Sequence, residues 1–305
     1  MRPADVNRRQ EGGAPYYTVM ADTNGTTAPG GGPAADKKDK SNDLKEVKIL
    51  MLHGYTQSGP LFRAKTRALE KLLAKSLAPL KLKPTLFYPS GPTRLSPKDI
   101  PGYEPSNAEG ADADAEIDSW AWFRKDEASG TYRGLKQGFD RIASCIRDEA
   151  GGHVDGVVGF SQGGAMAAMV ASALESVGPE GEGGEKKLRQ PPASDGNYDW
   201  GWVDGLREAN GGRALSFAVI YSGFFAPPPQ LGWLYEPKIR TASLQYIGSL
   251  DTVVEESRTR SLVDRSEDPL VVVHPGGHYV PVNKQFVMPL VGFVRKCCEE
   301  GAGQS

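Results

Sequence analysis

The chain has 305 residues, of which 39% are apolar, 24% charged and 9% aromatic. At about 150 residues per domain, that length suits two domains, or one large α/β domain with unfolded flanks. Its 36 basic and 38 acidic side chains give a net charge of −2, without the basic excess of an electrostatic nucleic-acid binder. The three cysteines, Cys145, Cys297 and Cys298, have the spacing of neither a disulfide framework nor a metal site. They point to a reducing, cytoplasmic setting. No apolar run is long enough for a membrane span, and no charged-then-apolar signal opens the chain. The expectation is a soluble, non-secreted protein.

Residues 1–44 read as a disordered N-terminal leader. Gly25–Ala35 is low in complexity, Asp36–Asp43 is charged, and neither holds enough apolar surface to offset chain entropy. Order is expected over 45–300. Val47–Leu52 is an apolar strand ended by His53-Gly54. Leu61, Ala64, Ala68, Leu69, Leu72 and Leu73 repeat with a helical period between Pro60 and Leu80. Pro84 closes that element, and Thr85–Tyr88 forms a second strand. A long Pro/Asp/Glu-rich loop fills 90–118. Leu135, Phe139, Ile142 and Ile146 predict a helix over Tyr132–Glu149, then Val154–Phe160 a strand and Gln162–Leu174 a helix of small residues. The stretch at about 175–214 is rich in Gly, Pro, Glu and Lys, and reads as a surface insertion with a disordered first half. Leu215–Tyr221, Ala242–Ile247 and Leu270–Val273 are further strands, and Lys284–Cys298 is a last helix. Strands alternating with helices predict an α/β fold with a mostly parallel central sheet and helices on both faces.

The sharpest motif is Gly159-Phe160-Ser161-Gln162-Gly163. It sits where an apolar strand turns into a helix, the context of a nucleophile elbow. The turn is tight, so small residues flank Ser161 two positions to either side, and the hydroxyl is left exposed at a helix N-terminus. The Gln162 amide then points toward a developing oxyanion, assisted by the helix dipole. The alternative is a tight turn that merely carries a serine. A dinucleotide loop needs glycine where Ser161 stands, so that reading fails.

The chain order that accompanies such an elbow is nucleophile, acid, histidine. Of His53, His153, His274 and His278, only the last two follow Ser161. His278 lies beyond Pro275-Gly276-Gly277 on a loop and is the favoured base. His274, at a strand end, is the alternative. Asp251 follows a strand and Gly248, and is the favoured acid to orient the imidazole. Glu255 and Glu256 are weaker substitutes. The second oxyanion donor is expected on the loop after the first strand, at the Tyr55 amide next to Gly54. His53 reads as a brace for that loop. No metal-ligand spacing appears, because Pro275-Gly276-Gly277 keeps His274 and His278 off a common helix.

With these residues in place, the chain resembles the fungal serine hydrolase (FSH) family of the α/β-hydrolase superfamily. The matching stretches are Ile49–Gly59, Tyr88–Pro92, Ala121–Phe123, Gly159–Gly164, Tyr221–Phe224, Gly248–Asp251 and His274–His278, in that order over about 46–298. The resemblance implies an α/β-hydrolase fold, a Ser161–Asp251–His278 triad, no cofactor and a cytosolic setting. It also implies esterase or thioesterase activity, with release of acyl or polyketide chains from an acyl carrier protein in secondary metabolism as one family role. The long leader and the 175–214 insertion depart from the family pattern.

The expected reaction is acyl transfer through a covalent intermediate on a small-molecule ester or thioester. Trp120, Trp122 and Phe123, with Phe224 and Phe225, are candidates to wall an acyl pocket, core packing being the alternative for each. Aromatic walls suit an apolar chain of short to medium length. Two rival classes stand beside this reading. One is a general carboxylesterase or lysophospholipase without a carrier partner. The other is a non-catalytic binding module, which an intact Ser161, Asp251 and His278 argue against.

Overall fold

Central strands buried at every position, with helices on both faces, organise the molecule. The computed structural model describes residues 16–18, 44–102, 117–177, 187–193 and 199–302. Seven strands form one sheet: β1 (Tyr16–Thr18), β2 (Lys45–Leu52), β3 (Leu82–Phe87), β4 (Gly156–Phe160), β5 (Phe217–Tyr221), β6 (Ser243–Gly248) and β7 (Leu270–His274). Their order is β1-β7-β6-β5-β4-β2-β3, and every neighbouring pair is parallel. The chain order thus reverses about β2 and β4, and the loops at their C-terminal ends open onto a shared crevice.

Helices cover both faces. Val47, Ile49 and Met51 of β2 pack with Val158, Phe160, Phe217, Val219 and Tyr221 under α1 (Gly59–Leu77) and α6 (Lys284–Ala302). Leu50 and Leu52 face the other way, with Val157, Ala218 and Ile220, against α2 (Leu135–Ser144), α3 (Gln162–Ala173) and α4 (Gly201–Ala209). A short α5 (Glu256–Val263) packs beside β6. All twelve residues of α3 are buried, which explains its run of Gly and Ala where a one-sided helix would alternate.

Several expectations shift in detail. Pro84 does not end an element. It lies inside β3, paired with Val47, and is tolerated because β3 is an edge strand. The buried stripe of α1 is Phe62, Thr66, Leu69, Leu73 and Leu77, while Leu61, Ala64 and Ala68 face outward. Of the expected leader only 16–18 and 44 are described, and Tyr16–Thr18 pairs with Val271–Val273 at the sheet edge. The rest of the 1–44 expectation lies outside the described residues, as do 178–186 and 194–198 of the expected insertion.

The described second half of that stretch is core. Trp202, Val203 and Leu206 of α4 are buried, and Trp202 stacks on Phe139 at 3.7 Å between ring centroids. Within the same stretch Arg189 and Glu175 form a buried ion pair, Nη2 to Oε2 at 2.8 Å. Glu175 Oε1 also accepts from the Arg240 amide at 2.8 Å, the Thr241 amide at 2.6 Å and the Thr241 hydroxyl at 2.7 Å. Arg189 Nη1 donates to Trp233 O at 3.0 Å and Pro237 O at 2.7 Å. Arg207 donates to the backbone carbonyls of Ala173 and Arg189. Removing one partner of a buried pair leaves an uncompensated charge. Arg189→Ala is therefore expected to lower unfolding stability by about 3–5 kcal/mol, read as a fall in the urea midpoint at unchanged m-value.

Candidate active site

The turn from β4 into α3 places Ser161. Its backbone has φ 55° and ψ −116°, a conformation that a non-glycine residue holds only when its surroundings enforce it. A Cβ on Gly159 would stand 2.1 Å from the Gly163 carbonyl oxygen, and one on Gly163 2.1 Å from that of Leu52. Both positions therefore admit only glycine, and α3 starts against the end of β2. The Ser161 amide donates to Tyr221 O at 2.9 Å, which pins the turn to β5.

Asp251 and His278 reach Ser161 from the ends of β6 and β7, past the intervening β5. The loops after β6 and β7 are laced together: the Ser249 amide donates to His274 O at 2.9 Å and the Leu250 amide to Gly276 O at 3.0 Å. This brings His278 Nε2 to 3.0 Å from Ser161 Oγ and His278 Nδ1 to 2.8 Å from Asp251 Oδ2. Asp251 Oδ1 accepts from the Val253 and Val254 amides, both at 2.9 Å. Burial pushes the Asp251 carboxyl up. The hydrogen bonds from His278 and the Val254 amide, with the Ser222 hydroxyl nearby, outweigh it and hold the group below the usual carboxylate range. The acid thus stays ionised, and Nδ1 of His278 carries the proton that binds it.

His274 takes no part in this chain of contacts. It is buried, its ring nitrogens have no hydrogen-bond partner among the described residues, and it packs edge-on to Tyr279 and Phe286. Glu256 is engaged with Arg260, at 2.7 Å from its Nε.

The loop after β2 lies across from the elbow. Tyr55 and Gln162 line the same cleft as Ser161, and neither backbone amide donates to another described residue. His53 braces this loop, as its position suggested. The Gly91 amide donates to Nε2 at 2.8 Å, so Nδ1 is the protonated nitrogen and donates to Gly54 O at 2.7 Å. Burial depresses the imidazole from 6.5 to about 4, so the ring is neutral. Trp122 Nε1 donates to His53 O at 2.9 Å.

The side chain of Gln162 adds a clamp that the motif did not disclose. Its Oε1 accepts from the Trp122 amide and its Nε2 donates to Phe123 O, both at 2.8 Å. The cleft itself has a volume of about 340 Å³. Phe123 and Phe224 wall it, as expected, with Tyr132 and Val254. Trp122 does not. It is fully buried beneath the loop after β2, because its indole N–H is committed to His53. Trp120 is tied to Asp118, and Phe225 packs on Tyr235, so neither faces the cleft. Arg124, Lys125 and Arg258 line it instead. Arg124 and Lys125 directly follow Phe123 in sequence, a usable signal. Arg258 has none.

Comparison with known proteins settles the family. The family model described as Serine hydrolase (FSH1) matches residues 42–290. The chain belongs to that family. It is 30% identical over 239 residues to a Schizosaccharomyces pombe protein named dihydrofolate reductase, covering 78% of this chain and 44% of that one. The chain thus spans less than half the length of that relative. It is 29% identical to Family of serine hydrolases 2 of Saccharomyces cerevisiae, covering 82% of this chain and 96% of the relative. Among solved structures, esterase PE8 aligns at a TM-score of 0.49 and 18% identity, over 83% of this chain and 94% of its own. Among the described residues no group of His, Cys, Asp and Glu could hold a metal, and no helix is long and apolar enough to cross a membrane.

His53 gives a pH test. Its folded-state value lies below the unfolded one, so the unfolded chain binds the extra proton. Its contribution to stability is intact above the unfolded value and is lost as pH falls toward about 4, by at most roughly 3 kcal/mol. The gap in urea midpoint between the native protein and His53→Gln is expected to narrow from pH ~7 to pH ~4.5.

Proposed function

We propose that this family member cleaves carboxylic esters and thioesters, with Ser161 as nucleophile, His278 as general base and acid, and Asp251 as the residue that orients His278. The unbroken contact chain, Ser161 Oγ to His278 Nε2 at 3.0 Å and His278 Nδ1 to Asp251 Oδ2 at 2.8 Å, carries this reading. His278 takes the Ser161 proton as Oγ attacks the substrate carbonyl. The tetrahedral oxyanion is held by the Tyr55 and Gln162 amides. Collapse expels the alcohol or thiol, which takes the proton from His278, and a water then repeats the sequence on the acyl-enzyme.

The aromatic walls Phe123 and Phe224 support a short- to medium-chain acyl group, and the 340 Å³ cleft matches a small molecule. Delivery of the acyl chain by a carrier protein in a biosynthetic pathway is the finer form of this reading, supported by the family resemblance. A cytoplasmic setting fits the three free thiols.

Two measurements test the reaction. A fluorophosphonate probe is expected to label Ser161 and to be blocked by Ser161→Ala. Hydrolysis of p-nitrophenyl esters and acyl thioesters is expected to vanish in Ser161→Ala. It is expected to fall about 10³–10⁴-fold in kcat in Asp251→Asn, where the imidazole is no longer oriented and charge-stabilised. No turnover together with no labelling would favour the binding-module reading.

A further inference from the structure

The cleft around Ser161 is lined by three cations, Arg124, Lys125 and Arg258. Two are matched. Arg124 Nη2 lies 2.5 Å from Asp99 Oδ1, and Lys125 Nζ lies 2.8 Å from Glu127 Oε2. Arg258 has no carboxylate partner among the described residues. On its own helix, Glu256 is taken by Arg260. The Arg258 guanidinium instead lies over Phe224, 4.7 Å from the ring centroid, and Phe224 is itself a buried wall of the cleft.

The guanidinium is exposed, yet one side of it rests on an aromatic ring. The aromatic face restrains the guanidinium by a cation–π contact and leaves its N–H donors at the edge. Those donors form a fork that matches a carboxylate bidentately. Methylene groups of a substrate would run along Phe123 and Phe224, and an acid group at the far end would meet Arg258.

We propose that Arg258 recognises a carboxylate carried by the substrate, so that this protein prefers esters or thioesters bearing a free acid group over neutral ones of the same length. The inference builds on the esterase reading and narrows its substrate class. It replaces a wholly apolar acyl chain with one that is apolar along its length and anionic at one end. Because Arg258 is exposed at the cleft rim, screening limits the preference to about tenfold.

The test compares p-nitrophenyl valerate with the p-nitrophenyl monoester of glutaric acid, which differ in a terminal methyl against a carboxylate. The native protein is expected to show a kcat/KM about tenfold higher on the acid. That ratio is expected to fall to about one in Arg258→Gln, to be partly kept in Arg258→Lys, and to shrink in about 0.5 M NaCl. A parallel pair, phenyl valerate and the valeryl ester of p-hydroxybenzoate, places the carboxylate on the leaving group. An Arg258-dependent preference in only one pair tells which side of the scissile bond the cation reads. Binding is read separately on Ser161→Ala by chemical-shift titration with monomethyl glutarate and methyl valerate. Tighter binding of the acid, lost on adding Arg258→Gln, supports the proposal even if hydrolysis fails, in which case the esterase reading falls alone. Equal behaviour of acid and neutral compounds, or a preference that survives Arg258→Gln, overturns it.

Discussion

The approach of the Ser161 turn to the end of β2 is the constraint on which the site depends. With glycine at 159 and 163, the first turn of α3 lies against the Leu52 carbonyl, where a Cβ would come within 2.1 Å. That contact holds Ser161 at φ 55° and, although the residue is buried, sets it in the lining of the cleft. It also brings the free Gln162 amide to the same crevice as the Tyr55 amide, since both loops leave neighbouring parallel strands. A turn one methyl wider would separate these groups.

Sheet order supplies the remaining partners. β4, β5, β6 and β7 lie side by side, so their C-terminal loops form a row. Hydrogen bonds between the loops after β6 and β7 convert this row into a fixed distance between Asp251 and His278. On the other side, His53 ties the loop after β2 to Gly91 and Trp122, and the Gln162 side chain ties the start of α3 to Trp122 and Phe123. Each of these polar side chains is buried and satisfied by backbone groups, so each restricts motion next to Ser161. The same physics recurs away from the site, where Glu175 and Arg189 form a buried pair and Arg207 of α4 donates to the Arg189 carbonyl.

Much of this was legible in the sequence. Apolar runs marked β2, β4, β5, β6 and β7, and the elbow motif named Ser161. The order of Asp251 and His278 after it limited the choices for acid and base. Other features were not legible. Pro84 reads as a breaker until β3 is seen to be an edge strand. The Gly/Pro-rich composition around α4 hid Trp202, which joins the core by stacking on Phe139 and packing beside Trp233. Trp122 looked like a pocket wall, yet its N–H is consumed by His53 from a distant strand end.

Local signals determined what they physically control: the apolar runs of the buried strands, the steric demand for small residues at the elbow, and the candidate groups Ser161, Asp251 and His278. Tertiary structure alone decided which of two histidines meets Ser161, because that choice rests on the lacing of two loops from separate strands. It also decided which aromatic rings face the cleft, and that Arg258, a helix residue far along the chain, lies over Phe224 in the cleft that Ser161 lines. Burial and pairing are properties of neighbours in space. A sequence names the groups, and the packing of the sheet settles which of them are left free to act.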